Sequence, residues 1–197
     1  MSAQPIVTAP QAVLRQISEP IEPVDGSGAV KAEVLNYAQF LIDTIKKQKD
    51  PAAAGLALPQ IDRLYRAFAT NLENFQTDGM QIRVFINPVI VDISDKLSTG
   101  PNLRKPDLEG CLSIPDLYGP VLRPEWVTFE YQEIEDGRLT PLKRDTFYDF
   151  AGRVMQHELD HLNGVLFTDY TLSQSQPLYR SEKGERIAID PMISEAF

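Results

Sequence analysis

Gln156-His157-Glu158-Leu159-Asp160-His161 is the stretch that organises the reading of this 197-residue chain. His157 and His161 are four apart, so on a helix both imidazoles project from one face about one turn apart. That spacing suits two ligands of one transition-metal ion, with Glu158 beside the first as a proton carrier. These are the chain's only two histidines. An exposed helix that happens to carry two histidines is the plain alternative, and it leaves the intervening glutamate unexplained. The helix should begin near Asp149 as N-cap, turn Val154 and Leu162 inward, and stop at Gly164.

A catalytic site of this kind wants three protein ligands and an open position for water. One zinc-protease pattern would place a third histidine at position 167, where this chain has Phe167. A second would use a glutamate further on. Glu182 is at about that remove, but its surroundings, Ser-Glu-Lys-Gly-Glu-Arg, read as a solvated run. Upstream, Glu109-Gly110-Cys111-Leu112-Ser113 holds the sole cysteine, a soft ligand beside a glycine that lets backbone come close. A buried structural cysteine is the alternative. With no other partner for the helix, Cys-His-His plus water is the favoured set. A structural metal site would want a fourth protein ligand, and none stands out.

Composition narrows the class. At 43% hydrophobic the chain can bury one core, and its net charge of −9 argues against nucleic-acid binding. The N-terminal residues do not form a secretory signal, and no apolar run approaches a membrane span, so a soluble, cytoplasmic protein is expected. Four prolines in residues 1–26 predict an extended arm with a short turn at Ala12 to Gln16. Val34, Ala38, Leu41 and Ile45, with Leu35 and Ile42, predict a helix from about Ala29 that Pro51 ends. Strand patterns follow at 63–70, 81–93 (interrupted by Asn87-Pro88), 126–134 and 139–147, the last two joined by a hairpin at Glu135-Asp136-Gly137-Arg138. Residues 71–79 and 94–107 read as polar loops, and Thr171 to Phe197 as a polar tail with a short apolar end. The order argues α+β, with mixed or antiparallel sheets packed around the metal-binding helix.

Glu-Gly-Cys-Leu-Ser together with Gln-His-Glu-x-Asp-His resembles the motif pair of the peptide deformylases. Ala53-Ala54-Gly55-Leu56-Ala57-Leu58-Pro59-Gln60 is similar to that family's remaining motif, in the same order and at similar spacing. The resemblance runs from about Val7 to Tyr170, which implies a catalytic domain over 1–170 and a tail of unknown role over 171–197. Two departures bear on loop geometry: Ala53 stands where the family has glycine, and Ile61-Asp62 where it has Val-Gly.

The resemblance implies removal of the formyl group from the N-terminal formyl-methionine of newly made polypeptides, with release of formate. It implies one ion per chain, Fe²⁺ with Zn, Ni or Co as substitutes, held by Cys111, His157 and His161. Glu158 would be the acid/base, and the Gln60 amide and the Leu112 N–H the donors to the developing oxyanion. Gly55 would pair with the extended substrate, Gly110 would be a further substrate-binding position, and Ala54, Phe150 and Val154 would line the methionine pocket. Glu109 and Arg123 read either as a buried pair under the Cys111 strand or as separate surface groups. Asp160 reads either as a support for a ligand or as a surface carboxylate. The ribosome exit region is a candidate partner, although from Pro177 onward Arg180, Lys183 and Arg186 face Glu182, Glu185, Asp190 and Glu195, so the tail is not basic.

Overall fold

The computed structural model describes residues 2–49, 51–72, 82–102 and 105–190. Most of the expected 71–79 loop, the first residue of the 81–93 strand, residues 103–104 and the apolar end at 191–197 lie outside the described residues. Three α-helices are described, α1 (Ala32–Lys47), α2 (Asp149–Leu162) and α3 (Phe167–Ser173), with short 3-10 turns at Ala12–Arg15 and Leu58–Ile61. The strands are β1 (Gly55–Ala57), β2 (Ala67–Thr70), β3 (Arg83–Ile93), β4 (Leu97–Ser98), β5 (Glu109–Cys111), β6 (Ile114–Gly119) and β7 (Arg123–Pro124). They continue with β8 (Trp126–Gln132), β9 (Ile134–Glu135), β10 (Arg138–Leu139), β11 (Lys143–Tyr148), β12 (Leu178–Glu182) and β13 (Glu185–Ile189).

One antiparallel sheet of order β1-β2-β3-β8-β11 separates the two long helices. Strand alternation sorts its residues to two faces. Leu56, Ala67, Ala69 and Ile86 pack with Val34, Leu41 and Ile45 of α1. Ala57, Phe68, Phe85 and Phe129 pack with Met155, Leu159 and Leu162 of α2. Met155, Leu159 and Leu162 recur at helical spacing, so α2 spends one stripe on the sheet and keeps the opposite face for chemistry. A second antiparallel sheet, β13-β12-β6-β5, buries Ile114, Leu117 and Leu178 with Leu14, Leu166 and Phe167. The class is α+β, as expected.

Local differences have local causes. Helix α1 begins at Ala32 rather than Ala29, and Leu35, expected on its apolar stripe, is 39% exposed. The strand expected from 63 starts at Ala67, because Asp62 takes a left-handed conformation (φ 60) that turns the chain. Asn87 (φ 51) bulges β3 where the sequence is interrupted, and its amide both accepts from and donates to the Ile21 backbone at 2.8 Å. Asp136 (φ 50) and Gly137 (φ 75) form the expected two-residue hairpin, in which both positions need positive φ. Residues 178–189, where the sequence shows little periodicity, form the β12–β13 hairpin that extends the second sheet.

The ends of α2 bear directly on the site. Asp149 is not a side-chain cap: it sits at φ 48 and its N–H donates to the Glu125 carbonyl at 3.0 Å. Gly164 (φ 71) closes the helix, with Val165 N–H on the Asp160 carbonyl at 3.0 Å and Gly164 N–H on that of His161 at 3.3 Å. A Cβ there would meet the Arg15 carbonyl oxygen at 2.6 Å. Gly164→Ala therefore combines a strained φ with a backbone clash, and is expected to lower stability by about 1–3 kcal/mol in urea unfolding.

Candidate metal centre and catalytic site

Helix α2 presents His157 and His161 on the face turned away from its apolar stripe, and β5 brings Cys111 to them. The Cys111 Sγ and His161 Nε2 are 3.2 Å apart. The ligand atoms of Cys111, His157 and His161 all lie within 4.8 Å of one another, the only such group found among the described residues. His157 directs Nδ1 at the Glu109 carboxylate, 3.3 Å away, which leaves Nε2 for a metal. Burial alone would raise the Cys111 thiol, but the two imidazoles outweigh it and hold it well below its ordinary value. Burial likewise disfavours a charged His157, and Cys111 with Glu109 reverse the effect and raise it. A soft sulfur biased toward the thiolate, beside two imidazoles, is a donor set that fits a divalent transition ion.

Neither alternative third ligand takes part. Phe167 is buried in the core with its ring stacked on His157, centroids 6.4 Å apart. Glu182 ends β12 as an exposed residue outside the group.

Beneath the three donor groups Glu109 acts as a hub. Its carboxylate accepts from Arg123 Nε at 2.7 Å and Nη2 at 2.9 Å, and from Arg153 Nη2 at 2.8 Å. Arg123 also pairs with Asp160 at 2.9 Å, and Asp160 accepts from the Tyr170 hydroxyl at 3.1 Å. Burial works to raise the Glu109 carboxyl, and Arg123 and His157 hold it far below its usual range instead. Glu109 and Arg123 are thus the buried pair, and Asp160 belongs to the same network rather than to the surface. Arg153 escaped the sequence reading. The available signal was its position one helical turn before His157, a charge on a face that turns inward.

Glu158 points toward β1. Its Oε2 is buried without a hydrogen-bond partner among the described residues, and burial pushes its carboxyl up to about 7. A Cβ on Gly55 would fall 2.4 Å from Glu158 Oε1, so only glycine lets the two approach. Gln60 is held at both ends of its amide: Oε1 accepts from the Ala57 N–H at 2.8 Å, and Nε2 lies 3.2 Å from Ser113 Oγ and 3.5 Å from Cys111 Sγ. Leu112 occupies the two-residue turn between Cys111 and Ile114, which pair across β5 and β6.

These groups share a cavity of about 1020 Å³, which Ala54, Gly55, Gln60, Gly110, Leu112 and Glu158 help to line. Phe150 and Val154 line it as well. Ala54 and Val154 also pack together with Leu72 and Ala151, a contact sequence reading could not supply.

A family model described as polypeptide deformylase matches residues 3–177. The chain belongs to the polypeptide deformylase family. Among curated relatives, the peptide deformylase of Agrobacterium fabrum is 38% identical over 170 residues, covering 86% of this chain and 88% of that protein. That of Brucella suis is 36% identical over 170 residues, covering 86% and 85%. Among solved structures, a Met-Ala-Ser-bound class I type b peptide deformylase from Acinetobacter baumannii superimposes with a TM-score of 0.69 at 27% identity, covering 86% and 99%. As a family member this chain is a metal-dependent hydrolase that removes the N-formyl group from newly made polypeptides.

Where it departs from other deformylases, its own packing absorbs the change. The Ala53 methyl is buried in the α1 core, 4% exposed, as is Ile61 at 3%. Asp62 holds the left-handed position at which the sequence resemblance expects glycine, and aspartate is among the residues that tolerate it.

The hub makes a testable claim about the centre. Glu109→Gln removes the charge that holds His157 and two arginines, and is expected to weaken metal binding by about 10–100-fold in a chelator titration.

Proposed function

We propose that Cys111, His157 and His161 hold one Fe²⁺, with Zn, Ni or Co able to replace it, and that Glu158 is the acid/base of deformylation. When bound, such an ion supplies Lewis acidity that brings water deprotonation toward neutral pH. The observation that carries the assignment is the buried, unpartnered Glu158 Oε2 beside the three donor atoms. A carboxyl near 7 can accept a proton from the attacking water and return it to the departing methionine nitrogen as the C–N bond breaks. Formate and a free amino terminus are the products. Gln60, fixed through its Oε1, offers its Nε2–H to the formyl oxygen as charge develops there, and the Leu112 N–H is the second donor.

The substrate reading follows from topology. β1 is an edge strand of its sheet, so Gly55 has one side of its backbone free to pair with an extended peptide. Gly110 on β5 borders the same cavity, and Ala54, Phe150 and Val154 form an apolar wall suited to a methionine side chain. The catalytic unit is assigned to residues 1–170. No helix among the described residues is long and apolar enough to cross a membrane. Because the substrate is a new polypeptide, work in the cytoplasm near the ribosome exit follows from the chemistry, with contact other than through a basic tail.

Formate release from a formyl-Met peptide by protein purified without oxygen and loaded with Fe²⁺ tests the assignment. Wild type should release formate, Glu158→Ala should lose about 10²–10⁴-fold in kcat while keeping its metal, and Gln60→Ala about 10²–10³-fold. Full activity in Glu158→Ala would remove it from the acid/base role.

A further inference from the structure

The C-terminal hairpin reaches the catalytic cavity through one residue. Arg186, on the outer strand β13, lines the same cavity as Gly55, Cys111 and Glu158. Its guanidinium lies over the Tyr118 ring, with Cζ 5.2 Å from the ring centroid. Tyr118 is the cross-strand partner of Gly110, and a Cβ on Gly110 would come within 2.7 Å of the Tyr118 ring. Arg186, Tyr118 and Gly110 thus stack from the cavity rim to the residue preceding Cys111.

Arg186 is exposed and has no ion-pair partner among the described residues. The contrast with Arg153, which lines the same cavity, is informative. Arg153 donates to Glu109 at 2.8 Å and to the Val121 carbonyl at 2.7 Å, so its charge is neutralised where it sits. Arg186 rests its guanidinium over an aromatic ring and makes no side-chain hydrogen bond or ion pair among the described residues, so its N–H donors stay available. A planar, oriented fork of this kind matches a carboxylate. Asp116 and Lys105 also border the cavity, so the rim is not simply basic, and selection must come from a placed group rather than from a net field.

Distance limits which part of a substrate can meet it. Tyr118 lies one strand from β5, about 4.8 Å, and an extended peptide advances about 3.3 Å per residue. On those spacings, the part of an extended substrate to be matched with the guanidinium is a side chain a few residues past the formyl-methionine. We propose that Arg186 selects polypeptides carrying an acidic side chain at the second, third or fourth residue. The proposal rests on the deformylase reading of the site.

Formate release is measured on amidated formyl-Met-Ala-Ala-Ala and on versions with Glu or Lys at one of residues 2–4. At low salt, wild type should favour Glu over Lys by about three- to fivefold at one position, mainly in KM, and the preference should shrink as salt is raised. Arg186→Glu should invert that ratio at the same position, and Arg186→Lys should retain part of it. Each ratio is taken on a single protein, so differences in folded fraction cancel. An unchanged Glu/Lys ratio in Arg186→Glu at all three positions overturns the proposal. No formate from the parent peptide would instead sink the underlying reading.

Discussion

The carboxylate of Glu109 binds two arginines and His157 at once, and the site's geometry rests on that contact. A buried carboxylate is costly unless charge and hydrogen bonds offset it, and a buried guanidinium carries the same penalty. Glu109, Arg123, Arg153 and Asp160 meet both needs together. Because they come from β5, β7 and α2, the network fixes the strand bearing Cys111 against the helix bearing both histidines. The spacing of Cys111, His157 and His161 is then set by charge neutralisation beneath them as well as by their own contacts.

A second constraint is steric. α2 must press Glu158 against β1 with no side chain between them, and Gly55 makes that approach. The same closeness buries the carboxylate and accounts for its raised pKa. Glu158 is tuned chiefly by burial, and the burial comes from a helix wedged between a sheet edge and the strand that carries Cys111.

How much of this was legible in sequence depended on whether the information was local. The α2 motif could be read because helical spacing converts a six-residue string into geometry. Gly164 could be read as its stop because a left-handed C-terminal residue has its own chemistry. Cys111 followed from the lack of any other credible ligand, which is chemistry rather than folding. Arg153 was missed because an arginine reads as solvated until its partner is known, and Glu109 lies 44 positions away. The β12–β13 hairpin was missed for a related reason. Its short strands carry no clear alternation, and it is anchored by Tyr179 and Arg180 pairing with Tyr118 and Leu117 in a strand far back in the chain. Asp149 failed as a cap because the turn from β11 places it at positive φ, a constraint set by the tertiary path.

These differences divide the labour of the molecule. The elements legible from sequence, α2 and the Cys111 turn, hold the groups proposed to carry the reaction and need a fixed arrangement of few atoms. Those the sequence hid build the walls: β6 with Tyr118, and the hairpin carrying Arg186. A wall group does not have to meet a transition state, so its identity can vary without loss of chemistry, while a displaced ligand or carboxylate cannot be tolerated. Substrate preference should therefore depend most on β6 and β13 of the second sheet, which line the cavity through Tyr118 and Arg186.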